Sequence, residues 1–302
     1  MTQTTNHILM VRPARFAFNE ETAVNNAFQQ RGEGDIAQQA VAEFDAFVAL
    51  LRANGIVVDV LQDTALPFTP DSIFPNNCFS THGSTLVLYP MFAHNRRLER
   101  EKLMVRLDEM HFSEVIDLTA YEADRRFLEG TGSLVLDREH RMAYACLSPR
   151  TDEEVLREWA SRLGYCYLTF RSEDEQGTPV YHTNVVMHIG TRHAVVCLES
   201  VSDAAQRARL RASLEANGKQ VVPITLEQMH HFAGNMLELT GANGEQLLVM
   251  SATARASLTP AQVSELETAT RIVSPDIHTI ETAGGGSARC MLAEIFHYSL
   301  LP

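Results

Sequence analysis

The side chains best suited to chemistry in this sequence are a thiol, an imidazole and a carboxylate that lie far apart along the chain. They are Cys290, which follows a glycine-rich segment, His182 and Glu129. A thiolate can attack a carbon atom, an imidazole can carry a proton near neutral pH, and a carboxylate can orient or charge both groups. These residue types indicate nucleophilic catalysis by sulfur, provided that the fold brings them together.

A repeated pattern of apolar segments predicts how the fold does this. Each copy has an anchor residue, an apolar strand, a turn, a second apolar strand, a charged helix and a further short strand. Random apolar runs would not keep a constant interval, so a regular spacing of the copies predicts structural repeats. The anchors are Asn77, Gly132, Asn184, Asn235 and Cys290, at intervals of 55, 52, 51 and 55 residues.

The fifth copy is divided between the two ends of the sequence. Its first strand lies near the last residues, while a second strand at 7–11 and a helix at 34–53 lie near the first ones. A closed ring joins these parts most economically. We therefore predict an α/β fold, a five-bladed α/β-propeller of ββαβ units with pseudo-fivefold symmetry, as one domain over residues 1–302. Residues 1–62 and 284–302 form its fifth unit jointly in this prediction, and a two-domain α/β protein is the alternative.

In a ring of repeats, the equivalent strand starts converge on the central axis. Glu129 lies three residues before the anchor Gly132, and His182 lies two residues before the anchor Asn184. Cys290 is itself an anchor. The repeat therefore predicts that the carboxylate, the imidazole and the thiol meet at one mouth of the channel, although they belong to three different units.

The composition limits the classes of partner and compartment. The 302 residues include 25 Lys and Arg against 38 Asp and Glu, a formal net charge of −13. Nucleic acid and anionic membranes require basic surface, so we expect neither as a partner. Five cysteines without a CxxC motif indicate reduced thiols. No apolar run approaches the length of a membrane-spanning helix and no signal peptide is visible, so we predict a cytoplasmic protein.

Five strings of the sequence resemble the guanidino-group modifying superfamily, which contains amidinotransferases, arginine deiminases and dimethylarginine hydrolases. The closest pattern is that of the citrulline utilization hydrolase family, which shares the Phe-Pro-Asn-Asn and His-Thr-Asn strings. The resemblance implies the five-bladed fold, called a pentein, and a cysteine nucleophile that acts without cofactor or metal. The strings are Asp71-Ser-Ile-Phe-Pro-Asn-Asn77, Phe127-Leu-Glu129-Gly-Thr-Gly132, His182-Thr-Asn184, Gly234-Asn235 and Gly284-Gly-Gly-Ser-Ala-Arg-Cys290.

The resemblance also implies the roles of individual residues. Cys290 is implied as the nucleophile, His182 as the general acid and base, and Glu129 as the carboxylate that binds a substrate nitrogen. For the amino-acid end of a substrate, it implies Arg150 for the α-carboxylate. The residues implied in substrate binding are Asp71, Phe74, Asn77, Arg97, Arg150, Asn184 and Asn235.

One of these assignments leaves open which side chain acts. Arg97 matches a second arginine for the α-carboxylate, but the adjacent Arg96 is an alternative. Asp71 is a candidate for the α-ammonium group. Two arginines and one acid would then bind an amino-acid zwitterion within an otherwise acidic protein.

Two departures from the superfamily pattern bear on the substrate. Arginine deiminases carry aspartates where this chain has Asn77 and Asn184. A carboxylate binds a cationic guanidinium by charge-assisted hydrogen bonds, whereas an amide NH2 can donate to a neutral carbonyl oxygen. We therefore predict hydrolysis of the ureido group of citrulline to ornithine, ammonia and carbon dioxide, through a covalent thioester-like intermediate.

Other functions remain as alternatives. The first is a guanidine deiminase or hydrolase that acts on arginine or a methylated arginine. The second is a catalytically silent propeller that binds amino acids. A zinc site at His230, His231 and His278 lacks the CxxC or HExxH pattern, so we predict no metal. The expected partner is a small-molecule amino acid, and a homodimer is compatible with the sequence.

Overall fold

The computed structural model describes residues 2–32 and 34–297, whose strands form five sheets of three strands each. These sheets and the intervening helices agree with the predicted α/β class. The strands are β1 (His7–Arg12), β2 (Val57–Gln62), β3 (Phe79–His82), β4 (Thr85–Leu88), β5 (Glu114–Asp117), β6 (Val135–Asp137), β7 (Met142–Cys146), β8 (Cys166–Phe170), β9 (Met187–Ile189), β10 (His193–Val196), β11 (Gln220–Pro223), β12 (Leu237–Thr240), β13 (Gln246–Val249), β14 (Arg271–Val273) and β15 (Ala293–Glu294).

Long helices connect the strands, and short helical turns precede several of them. Among the described helices, none is both long and apolar enough to cross a bilayer. The α-helices are α1 (Glu20–Ala23), α2 (Ile36–Ala53), α3 (His94–Arg97), α4 (Glu99–Leu107), α5 (Gly130–Ser133), α6 (Glu153–Leu163), α7 (Thr183–Val186), α8 (Ala204–Ala216), α9 (Leu226–His230), α10 (Ala252–Ser257), α11 (Pro260–Leu266) and α12 (His278–Gly284). The 3-10 turns are Pro75–Asn77, Asp108–Met110, Thr119–Asp124, Leu198–Ser200, Ala242–Gly244 and Ala288–Met291.

All five sheets have the same topology. In the sheet β3-β4-β5, the middle strand is antiparallel to β3 and parallel to β5. A parallel pair requires a crossover connection, and α4 supplies it here. The equivalent crossovers are α6 between β7 and β8, α8 between β10 and β11, and α10 with α11 between β13 and β14. Each unit is therefore ββαβ in chain order.

The fifth sheet combines strands from both ends of the described chain. Its middle strand β1 pairs antiparallel with β15, with Ile8 opposite Glu294. The same strand pairs in parallel with β2, and α2 is the crossover. Of the segments predicted to form this unit, residues 1, 33 and 298–302 lie outside the described residues.

Neighbouring sheets contact one another through their first strands. β15 lies against β3, β6 against β9, and β9 against β12. Between β3 and the segment of β15, the fully buried Thr81 donates its hydroxyl to the Glu294 carbonyl at 3.0 Å and accepts from the Phe296 amide at 2.7 Å. One hydroxyl thus joins the fifth sheet to the first.

The N-cap of α6 differs by one residue from the simplest sequence pattern. Thr151 and the Thr-x-x-Glu spacing suggest a capping box, but Asp152 is the N-cap of α6 and accepts from the Glu154 and Val155 amides. A carboxylate can satisfy two free amides at once and favours the positive end of the helix dipole. The buried face of α6 includes Trp159, whose indole N–H donates to the Tyr89 hydroxyl at 2.7 Å.

Replacing Thr81 by valine tests how strongly this hydroxyl joins the sheets. Thr81→Val keeps the side-chain shape but leaves a buried N–H and a buried carbonyl without that partner. We expect the free energy of unfolding to fall by about 2 kcal/mol, measured by urea denaturation. Thr178→Val, at an exposed position, is the control and should change the unfolding free energy little. Equal stability of the two variants would contradict the prediction.

Candidate active site

The predicted site residues lie on tight helical turns just before the first strands rather than on the strands themselves. Asn77 ends the Pro75–Asn77 turn, Glu129 and His182 are the N-caps of α5 and α7, and Cys290 lies in the Ala288–Met291 turn. The Cys290 amide donates to the Ser287 carbonyl at 3.0 Å. Because these amides bond within their own turns, the side chains are free to point toward one another instead of alternating across a sheet.

The Cys290 thiol is buried between two asparagine side chains. The Nδ2 atoms of Asn235 and Asn184 lie 3.3 Å and 3.5 Å from its Sγ. Burial raises the pKa of Cys290, and contacts with the Ser287 backbone, the Asn235 amide and the Arg289 guanidinium oppose that rise. The arrangement supplies amide donors for a thiolate, but the resting thiol is protonated at neutral pH.

A buried carboxylate joins the candidate base to an arginine. His182 Nε2 lies 2.7 Å from Glu129 Oε2, and Arg150 Nη1 lies 3.5 Å from the same oxygen. The Phe92 amide donates to the other oxygen at 2.9 Å. Burial alone would raise the pKa of Glu129, but Arg150 and His182 outweigh it and lower the pKa to about 2. Burial lowers the pKa of His182 to about 4 despite the carboxylate, so the pair is an ionised acid and a neutral imidazole at neutral pH.

The orientation of the Asn77 amide is fixed by a buried guanidinium. Arg96 Nη1 donates to Asn77 Oδ1 at 2.6 Å, and the same guanidinium donates to both carboxylate oxygens of Glu99 at 2.9 and 3.0 Å. A guanidinium has only donors, so the amide atom that faces it must be oxygen. A Cβ at Gly132 would lie 2.4 Å from Asn77 Nδ2 and 2.8 Å from His182 Nδ1. The NH2 of Asn77 and the His182 ring therefore meet in the space that Gly132 leaves open.

The pocket is lined by Arg96 and not by Arg97, the side chain expected there from the sequence. Arg97 Nε donates to the Met91 carbonyl at 3.0 Å and its guanidinium lies 5.8 Å from the Phe127 ring centre. Successive residues of the short helix α3 point about 100° apart, so only Arg96 faces the pocket. The Arg96 guanidinium already donates to Glu99 and Asn77. Its N–H groups are therefore not free to form a bidentate pair with a substrate carboxylate.

Arg150 and Asp71 lie at the pocket as expected, and both contact a segment that the sequence reasoning missed. Arg150 Nε donates to Asn25 Oδ1 at 2.8 Å, and its Nη2 also contacts this oxygen. Asp71 Oδ2 accepts from Asn19 Nδ2 at 2.8 Å and from the Thr22 hydroxyl at 3.0 Å. Asp71 Oδ1 is buried without a hydrogen-bond partner among the described residues. A signal was present, because residues 19–30 are rich in Asn and Gln.

These side chains surround a closed pocket of about 20 Å³, which has room for about one water molecule. Phe74 forms part of the wall, and a Cβ at Gly284 would lie 2.7 Å from the Phe74 ring, so the glycines allow this close approach. The segment that carries Asn25 and Asn26 contacts Arg150 and Gly285 across this pocket and must move before an amino acid can enter. The lining residues are Asn26, Asp71, Phe74, Asn77, Arg96, Arg150, Tyr181, His182, Gly284, Gly285, Gly286 and Cys290.

The histidines considered for a metal site, His230, His231 and His278, do not line this pocket. His230 Nδ1 is 3.9 Å from Glu175, and the His230 ring packs edge-on against Phe28. Among the described His, Cys, Asp and Glu side chains, no group of three is arranged to hold a metal ion.

Comparison with known proteins gives the family. A protein-family model described as N,N dimethylarginine dimethylhydrolase, eukaryotic, matches residues 12–297. The chain belongs to this family. A search of curated protein sequences gives no match.

Solved structures similar to this dimethylarginine dimethylhydrolase family member share its fold. The N-terminal domain of ArgZ, an arginine dihydrolase from the Ornithine-Ammonia Cycle in Cyanobacteria, matches with a TM-score of 0.77 at 18% identity, over 96% of this chain and 98% of that one. A mutant of AgrE in complex with L-arginine matches with a TM-score of 0.75 at 19% identity, over 95% of this chain and 40% of that one. A dimethylarginine dimethylaminohydrolase adduct matches with a TM-score of 0.68 at 16% identity, over 96% and 99% of the two chains.

The shifted pKa of His182 predicts how stability depends on pH. Its pKa falls from the ordinary value of 6.5 to about 4 in the folded protein, so between these values the unfolded chain binds a proton that the folded protein does not. Stability is therefore lost as the pH falls through this window. Between pH 7 and pH 5, we expect the wild-type protein to lose about 2 kcal/mol more than His182→Gln.

Urea denaturation at both pH values checks this difference. The control is His111→Gln, at an exposed residue, which should keep the wild-type pH dependence. Parallel losses in the wild-type protein and His182→Gln would contradict the low pKa of His182.

Proposed function

We propose that this protein is a cysteine-dependent hydrolase of a C–N bond in the terminal group of an arginine-like amino acid, and that it accepts the neutral ureido group of citrulline. The observation that carries the proposal is the fixed amide of Asn77. Its oxygen is held by Arg96 at 2.6 Å and one N–H donates to Asn76 Oδ1 at 3.1 Å, so the other N–H remains for the pocket. An NH2 group donates to a carbonyl oxygen but offers no acceptor to a guanidinium.

The reaction begins at Cys290. Its thiolate attacks the ureido carbon, and the C=O bond opens to a tetrahedral adduct with a negative oxygen. Asn77, Asn184 and Asn235 are the amide donors near this centre, and donors placed where charge develops stabilise such an adduct. The terminal C–N bond then breaks, ammonia leaves, and the carbon remains bound to sulfur as a thiocarbamate.

The proton transfers are assigned to His182. Its imidazole takes the thiol proton and gives it to the departing nitrogen, then removes a proton from the water that attacks the thiocarbamate. The C–S bond breaks, the thiol is restored, and the carbamate product loses carbon dioxide to leave ornithine. Glu129, 2.7 Å from Nε2, holds the ring orientation and stabilises the imidazolium while it carries the proton.

The amino-acid end of the substrate is assigned to Arg150 and Asp71. The Arg150 guanidinium suits an α-carboxylate, because charge-assisted pairs of this kind form two parallel bonds. The free oxygen Asp71 Oδ1 suits an α-ammonium group. The Asn25 amide oxygen and the Thr22 carbonyl, which now accept from Arg150, must leave when a carboxylate binds. Phe74 and the glycine turn would then lie along the side chain of the substrate.

Guanidino substrates, arginine or a methylated arginine, are the second candidate, and the comparisons favour this candidate over the first. The description of the family names dimethylarginine as the compound hydrolysed, and one structural neighbour is described as an arginine dihydrolase. The ionised carboxylate of Glu129 also suits a cation. Hydrolysis of a guanidino group gives a ureido group, so the two candidates are successive stages of one chemistry.

The proposal includes the closure of the fold. Five sheets of equal topology, with the fifth drawn from both ends of the described chain, support a closed five-bladed propeller. We take residues 1–302 as one domain on this basis, with the site at the mouth of its channel.

An ammonia-release assay over citrulline, arginine, agmatine and methylated arginines tests the reaction and the substrate together. We expect ammonia and ornithine from citrulline, and loss of that activity in Cys290→Ser, because the hydroxyl is a far weaker nucleophile. Activity on arginine alone would favour the second candidate. Binding of amino acids without turnover of any of them would contradict both and indicate a catalytically silent propeller.

Asn77→Asp tests the charge argument at the pocket. One carboxylate oxygen can still pair with Arg96, and the other then faces the pocket as an acceptor. We expect the ratio of kcat/KM for citrulline to that for arginine to fall by about 100-fold, since a charge-assisted hydrogen bond is worth about 1.5–3 kcal/mol. Asn77→Ala is the control and should weaken both activities without reversing the preference. An unchanged ratio in a folded Asn77→Asp protein would refute the argument.

A further inference from the structure

A second cavity, of about 460 Å³, lies beside the closed catalytic pocket. Tyr181 lines both spaces, and its hydroxyl donates to the Gly285 carbonyl at 2.6 Å. The second cavity is within the size range of sites for small molecules, whereas the catalytic pocket is not. None of the residues assigned above to catalysis lines the second cavity.

Aromatic rings form one wall of this cavity. Phe28 lies 5.2 Å from Phe232, 6.1 Å from Tyr181 and 5.6 Å from His230 between ring centres. Phe232 has a φ of 61°, a left-handed conformation that is unfavourable for a bulky residue. Its ring is nevertheless part of this wall. Such a cluster offers ring faces to a cation.

A buried carboxylate supplies negative charge at the same cavity. Glu281 is 3% exposed, and its Oε1 accepts from the Ser287 hydroxyl at 2.5 Å. Its Oε2 is buried with no hydrogen-bond partner among the described residues. Burial raises the pKa of Glu281, and the hydroxyls of Ser251, Ser287 and Thr253 oppose the rise. Asp174 also lines the cavity, and no lysine or arginine is among the described residues that do.

We propose that this cavity is a second binding site, for a compact organic cation of amino-acid size. Its ammonium or guanidinium group would pair with Glu281, and its carbon chain would lie against Phe28 and Phe232. A buried carboxylate at the lining of the cavity and a group of aromatic faces are together the chemistry that recognises such a cation. The proposal goes beyond the hydrolase activity and does not depend on it.

The position of Glu281 connects this site to the nucleophile. The same carboxylate binds the Ser287 hydroxyl, and the Ser287 carbonyl accepts from the Cys290 amide at 3.0 Å. A cation that pairs with Glu281 therefore binds one end of a hydrogen-bonded segment that ends at the backbone amide of Cys290.

Calorimetric titration of the full chain with L-arginine tests the proposal, with the Cys290→Ala variant as background so that no turnover occurs. We expect a binding site that Glu281→Gln abolishes and Arg150→Ala leaves intact. If the catalytic pocket also binds arginine, a second site will show the opposite response to the two substitutions. The two sites are therefore distinguishable whether or not arginine is a substrate.

Phe28→Leu distinguishes loss of binding from a purely structural effect of Glu281→Gln. It changes the aromatic wall and leaves the hydrogen bond between Glu281 and Ser287 in place. We expect Phe28→Leu to weaken the Glu281-dependent site about tenfold, the upper part of the range for a cation–π contact. Melting curves verify that each variant is folded. Arginine binding that only Arg150→Ala removes, or no binding at all, would overturn the proposal.

Discussion

The charge on Glu129 is the constraint around which the candidate site is arranged. A carboxylate removed from water is stable only when it is paired and hydrogen-bonded. Here an arginine, a histidine and a backbone amide come from three different parts of the chain to satisfy it. Loss of any one of these partners leaves a buried charge uncompensated. The same interaction therefore holds the candidate base in position and ties together the units that carry it.

A second buried pair decides which face of Asn77 a ligand meets. Arg96 and Glu99 neutralise each other, and the remaining donor of Arg96 takes the Asn77 oxygen. In the function proposed above, the substrate preference would depend on a guanidinium that need not touch the substrate.

The five sheets could be predicted from the sequence because strand spacing depends on local apolar patterning that a regular repeat makes visible. The meeting of the thiol, the imidazole and the carboxylate followed from the same spacing. Finer features could not be predicted. The short turns that carry the site have no periodic sequence pattern. Whether Arg96 or Arg97 faces the pocket depends on how the four-residue helix α3 is rotated about its axis. Asn25 was missed because its contact with Arg150 joins residues 125 positions apart.

The closed pocket also protects the Cys290 thiol from reagents in solution. A cysteine is vulnerable to oxidants and alkylating agents when it is both ionised and open to solvent. In the closed form Cys290 is neither, since burial raises its pKa and the segment that carries Asn25 and Asn26 covers the pocket. The proposed nucleophile is thus shielded from solvent in this form. Attack on it by a small electrophile would require a form in which the pocket is open.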